Sequence, residues 1–121
     1  MGTVHRFEDL DIWKESKACS LIIYQHFQNT KDYGFRDQIC RAAISVMNNI
    51  AEGFERDSDK EFQRFLKIAK GSAGEVRSML SISVDLNYMS KEEAETIVNR
   101  YITLSSRISR FIQYLNSSIK K

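Results

Sequence analysis

Between Gln38 and Arg56 apolar residues recur every three or four positions, and a second, polar series runs through them at the same rhythm. Arg41, Ser45, Asn49, Glu52 and Arg56 follow one another at intervals of four, four, three and four. On an α-helix such intervals bring side chains onto one face, so these five form a polar seam in a segment otherwise rich in Ile, Ala and Val. Polar groups among apolar neighbours cost free energy unless a partner element satisfies them. The seam therefore points to helices docking on one another. It does not describe a reaction.

Helical rhythm extends along the whole chain. A first helix is expected from about Asp9 to Gln28, with Leu10, Trp13, Leu21, Tyr24 and Phe27 among its apolar positions. Asn29 to Gly34 reads as a loop of turn-favouring residues. A second helix carries Phe35, Ile39, Ala42, Val46, Ile50 and Phe54, and Gly53 places its end close to Arg56. Ser58 with Glu61, and Ser90 with Glu93, form capping-box patterns. They open a third helix running through Ser83 and a fourth running through Ile119. The link at Tyr88-Met89 is tight, which makes the last two helices antiparallel neighbours. No segment keeps a period of two, and the 121 residues contain no proline to break a helix. The expectation is all-α: one domain over residues 1–121, folded as a four-helix up-and-down antiparallel bundle.

Composition narrows the function. Hydrophobic residues at 42% and charged residues at 28% exclude a disordered chain. No apolar run approaches the roughly 20 residues that cross a bilayer, and Met1 to Arg6 lacks an apolar signal core. Both predict a cytoplasmic protein with no membrane partner. Two cysteines, Cys19 and Cys40, are too few for a disulfide framework and read as buried thiols in a reducing compartment. His5 and His26 have no metal-ligand company at suitable spacing, so no metal site, cofactor or small-molecule substrate is inferred.

If helices two and three turn near Asp57, residues equidistant from the turn face each other. That register brings Arg41 near Ser72 to Glu75, Asn49 near Arg64 and Phe65, and Glu52 near Glu61 to Arg64. Arg41 with Glu75, and Glu52 with Arg64 or Arg56, are then the charge-balanced pairs. Removing one member of a buried pair costs roughly 3–5 kcal/mol, so Arg41→Ala is expected to strand Glu75. The rival reading, an acid/base site built from Arg41, Glu52 and Glu75, lacks support. No Glu-x-x-His motif is present, nor any Ser/His/Asp or Cys/His arrangement. No catalytic residue is assigned. Gly71-Ser72-Ala73-Gly74 forms a patch without bulk, as expected where another helix approaches closely, from this chain or from a neighbouring subunit.

Anionic partners are suggested by charge distribution rather than by the net charge of +2. From Asn99 to Lys121 there is no acid, against Arg100, Arg107, Arg110, Lys120 and Lys121. Taking about 100° per residue, Arg100, Arg107, Arg110 and the aromatic Tyr114 share an arc of about 80° on helix four. Lys60, Arg64 and Lys67 lie within about 60° of one another on helix three by the same geometry. Cations interleaved with an aromatic suit a phosphate backbone with stacked bases. The plainer reading, strongest for helix three with Asp57, Asp59 and Glu61 beside it, is a solvated face.

Several motifs together resemble one known family. They are Phe7-Glu8-Asp9-Leu10-Asp11-Ile12-Trp13, Tyr33-Gly34-Phe35 and Gln38-Ile39-x-Arg41-Ala42-Ala43-x-Ser45. They continue as Asn49-Ile50-Ala51-Glu52-Gly53-Phe54-x-Arg56 and Phe65-Leu66-x-Ile68-Ala69-x-Gly71-Ser72-Ala73-x-Glu75. The chain resembles the bundle proteins encoded in intervening sequences of bacterial 23S rRNA genes, also labelled S23 ribosomal proteins. The fourth helix matches only in apolar rhythm. The resemblance implies a bacterial cytoplasmic protein without established catalytic activity that assembles with itself, as a homopentamer. Distant relatives, the accessory proteins of diversity-generating retroelements, bind nucleic acid through a basic surface. Family members often carry proline where this chain has Met47, so no kink is expected there. The resulting expectation is a non-enzymatic homo-oligomer that binds structured RNA or DNA without strong sequence specificity. The alternative is a scaffold that self-assembles and binds a protein partner.

Overall fold

The structure, a computed structural model, describes residues 4–119. A single 3-10 turn at Phe7–Asp9 leads into α1 (Asp11–Phe27), followed by α2 (Tyr33–Phe54), α3 (Asp59–Asp85) and α4 (Lys91–Ile119). Each helix packs against its neighbours in sequence, and α4 closes back on α1, while the diagonal pairs stay apart. The result is an antiparallel four-helix up-and-down bundle. The α2–α3 and α3–α4 seams are extensive, and the α1–α4 seam is thin.

Caps explain where the helices begin. Asp32 accepts a hydrogen bond from the Phe35 amide, so α2 starts at Tyr33 and absorbs two residues expected to be loop. Ser58 Oγ accepts from the Glu61 amide at 3.1 Å, but the Glu61 carboxylate turns to Arg64 and leaves that capping box half-made. The box at Ser90 is complete, with Glu93 Oε1 accepting from the Ser90 amide and hydroxyl. α3 ends on Asn87 in the left-handed region (φ 61°), where the Tyr88 amide donates to Ser83 O and the Asn87 amide to Val84 O. Asn tolerates that conformation better than most side chains, and this double closure turns the chain sharply into α4. Tyr88 then donates to Asp32 Oδ2 at 2.8 Å, tying this turn to the start of α2. That bond and the Phe35 amide hold the Asp32 carboxyl below its ordinary pKa.

One core runs through the bundle, centred on Ile23, Phe27, Ile39, Val46, Ile50, Leu66, Val76, Leu80, Leu104 and Ile108, all fully buried. Each such aliphatic or aromatic side chain contributes about 1.5–3 kcal/mol of burial free energy. The face of α1 departs from expectation. Leu21 and Tyr24 are 53% and 45% exposed, while the buried stripe is Ile12, Ser16, Cys19, Ser20, Ile23 and Phe27. Its serines are tolerated because each hydroxyl finds a carbonyl: Ser16 donates to Trp13 O, and Ser20 donates to Ser16 O and across to Ala43 O of α2. Small residues there let α1 and α2 approach. Leu10 is buried but extended, ending the 3-10 turn, so α1 starts two residues later than expected. α2 runs unbroken through Met47.

Candidate nucleic-acid interface

The polar seam lies at the α2–α3 junction in the expected register, but its members have different fates. Its centre docks the helices: the Ser45 and Ser72 hydroxyls sit 2.8 Å apart, and Asn49 Nδ2 donates to Ser45 O and Oγ. Its ends face solvent. Arg41, Glu52, Arg56 and Glu75 are all exposed. The expected Arg41–Glu75 pair is not made; Gln38, one turn nearer the start of α2, donates Nε2 to Glu75 Oε2 at 2.6 Å instead. Glu52 pairs with Arg56, just past the end of its own helix, at 3.1 Å, and Arg64 pairs with Glu61. An antiparallel register fixes which residues are level with one another, whereas an exposed side chain takes the nearest partner that needs least ordering. The Arg56 and Arg64 guanidiniums both lie 4.8 Å from the Phe65 ring centre, so the charges at this end cover an aromatic.

Of the described glycines, Gly53 is the most tightly packed. A Cβ there would fall 2.7 Å from Phe65 Cβ and 2.9 Å from the Phe62 ring, so only glycine fits. Gly71 and Gly74 differ: a Cβ on either would meet nothing within 4 Å. The patch without bulk is therefore split: Ser72 and Ala73 meet the rest of the bundle, while Gly71 and Gly74 have no close neighbour among the described residues.

The arc on α4 is divided by the fold. Arg100 turns to α1 and donates Nε and Nη2 to Glu15 Oε1, at 3.2 and 2.9 Å. Both side chains are half-buried (38% and 26% exposed), and the bond lifts the Arg100 pKa. Arg100 is therefore committed to structure. Tyr114 sits at the far end of the bundle, edge-on to Phe111. Arg107 is exposed, and Arg110 faces the groove between α3 and α4. On α3, Lys60 and Lys67 are exposed, and Arg64 is neutralised by Glu61, whose carboxyl pKa falls in consequence. Among the described residues, Lys60, Lys67, Lys70, Arg77, Arg107 and Arg110 pair with no carboxylate. Lys120 and Lys121 of the acid-free tail lie outside the described residues.

Lys70 and Arg77 were not anticipated. They line the α3–α4 groove with Arg110, Ile102, Ser105, Ser106 and Ser109, around a cavity of about 510 Å³. Part of the signal was present: with the turn near Tyr88, Lys70 is level with Ser106, which lines the same groove, and Arg77 with Asn99, so both cations fall within about one helical turn of Ile102 or Arg110. A register alone does not bring Arg110 to them, because it gives the level of a residue and not the groove its side chain lines.

Burial keeps both thiols and one phenol in their protonated forms. Burial, with the Glu15 carboxylate beside it, pushes the Cys19 thiol up to about 12, and burial also raises Cys40. Tyr101 is fully buried, its hydroxyl without a partner, and burial lifts its pKa far above the usual phenol range. Among the described residues no three His, Cys, Asp or Glu side chains gather to hold a metal ion, and no helix is long and apolar enough to cross a membrane.

An all-α bundle with a committed core, a hydroxyl-docked seam and cations left free on the outside is the class of protein these features define. The model of the 23S rRNA-intervening sequence protein family matches residues 8–110, and the chain belongs to that family. It is similar in fold to the crystal structure of a protein of unknown function from the S23 ribosomal protein family of Bacteroides thetaiotaomicron. The TM-score is 0.78 at 24% identity, covering 84% of this chain and 97% of that one. No curated protein matches the chain.

Proposed function

We propose that this protein is a non-enzymatic, self-associating bundle of the bacterial cytoplasm that binds structured RNA or DNA through basic faces, without strong sequence specificity. The observation that carries this reading is the set of cations on α3 and α4 that no carboxylate neutralises, on a segment of α4 that contains no acid after Glu95. Unpaired Lys and Arg exchange condensed counterions for phosphates, giving affinity that depends on salt more than on sequence. The family resemblance suggests a homopentamer. A closed ring would copy each cationic stripe in every subunit and concentrate a modest charge.

Fluorescence anisotropy with a labelled RNA hairpin and a DNA duplex across a salt series tests the reading. The expected result is binding at low salt whose logarithm falls linearly with the logarithm of salt concentration. No binding at low salt, or binding indifferent to salt, refutes it. Light scattering on the same sample, read beside its absorbance ratio at 260 and 280 nm, reports subunit number and any bound nucleic acid.

A scaffold reading has one observation of its own. Leu21 and Tyr24 are exposed on α1, and Tyr24 lines a groove with Cys40, Arg41 and Ile44 of α2. Exposed apolar surface of this kind suits a second copy or a protein partner. Substituting Leu21→Lys should leave the helical spectrum intact and lower the scattering mass if that face joins subunits.

A further inference from the structure

The groove between α3 and α4 concentrates what the rest of the surface scatters. Lys70 and Arg77 stand two turns apart on α3, about 10 Å along the axis, and Arg110 faces them from α4. Over that length one strand of a duplex presents about three phosphates. Ser105, Ser106 and Ser109 line the same groove. Of the four buried serines, Ser16, Ser20 and Ser83 each donate to a carbonyl. Ser105 does not: it is 7% exposed and its Oγ has no hydrogen-bond partner. That Oγ is closed off from solvent, so what the groove offers an anionic oxygen is its three unpaired cations, Lys70, Arg77 and Arg110. Toward the α3–α4 turn, past Gly74, the lining becomes mixed in charge, with Asp85 and Glu95 joining Lys91. The attractive part therefore ends near Arg77.

We propose that this groove grips the phosphodiester backbone of nucleic acid, with Lys70, Arg77 and Arg110 meeting phosphates. The inference rests on the nucleic-acid reading above and confines it to one groove. Cations elsewhere, Lys60, Lys67 and Arg107, contribute only diffuse attraction. Sequence indifference follows, because phosphate contacts position a strand without reading its bases.

Two variants of equal charge loss separate the groove from the general surface: Lys70→Gln with Arg77→Gln and Arg110→Gln, and Lys60→Gln with Lys67→Gln and Arg107→Gln. Anisotropy with a fluorescein-labelled RNA hairpin is read over a salt series, with circular dichroism melting as the check on folding. The groove variant should lower the salt slope by about 2–3 and weaken low-salt binding at least about tenfold, and the outer variant should do far less. Equal loss in both variants, or none in the groove variant while the wild-type protein binds, overturns the groove and leaves the broader reading standing. A wild-type protein that binds no RNA overturns both. Arg110→Gln alone, at an exposed site, settles the matter if the triple variant fails to fold: it should lower the slope by about 1. Displacement of the hairpin by inorganic phosphate, at ionic strength matched with chloride, would mean a site for a single phosphate and overturn the assignment to a backbone.

Discussion

Two seams of this bundle hold helices together by different means. Between α2 and α3 contact is extensive and close, and the polar groups at its centre are hydroxyls and an amide, Ser45, Ser72 and Asn49. Between α1 and α4 contact is thin, and a half-buried ion pair, Glu15 with Arg100, reaches across it. Where backbones approach, as at Gly53, long charged side chains have no room, and small neutral groups keep the docking specific at little desolvation cost. Where they stand apart, a long Arg can span the gap and bury its stem on the way. The polar seam conspicuous in the sequence thus belongs to the close junction, and its charges lie outside the contact.

The sharpest way to break this contrast is Gly53→Ala. The added methyl meets Phe65 Cβ at 2.7 Å, so chemical denaturation should show a loss of about 1–3 kcal/mol. An unchanged midpoint would mean that the junction is looser than described. Next comes Arg100→Met, which keeps the stem but leaves Glu15 half-buried and unpaired. A loss of about 1–2 kcal/mol is expected, between the values for surface and buried pairs, with Glu15→Gln restoring part of it in a double-mutant cycle. Full additivity would show that the pair does not bridge the helices. The Ser45→Ala and Ser72→Ala cycle should return a smaller coupling, about 1 kcal/mol, as for a neutral hydrogen bond. Smallest is Arg41→Ala, expected within about 0.5 kcal/mol because the side chain is exposed and Glu75 is held by Gln38. A loss of several kcal/mol in the free subunit would restore the charged seam as a docking element.

Much of the fold was legible. The periods of three and four in α2, α3 and α4, the caps at Ser58 and Ser90 and the tight link at Tyr88 identified the helices and their antiparallel order. The seam's register was legible for the same reason, since a short turn fixes which residues are level. The face of α1 was not. Its stripe is interrupted by Ser16 and Ser20, which read as polar, and only the carbonyls of Trp13, Ser16 and Ala43 make those serines acceptable inside. The candidate site was half legible. Arg110 was among the expected contacts, but the arc that grouped it with Arg100 and Tyr114 lies on one helix, whereas a groove is made by two.

What the sequence by itself determined is helical content, order and phase, because spacing along a helix and capping at its ends are local properties set by neighbouring residues. Which cations remain available was decided only by tertiary structure. Arg100 and Arg107 are equivalent in sequence, seven residues apart on one face, yet Glu15 of α1 stands beside the first alone. Coulomb attraction and hydrogen bonding act over a few ångströms, and only the packing of distant segments brings charges within that range.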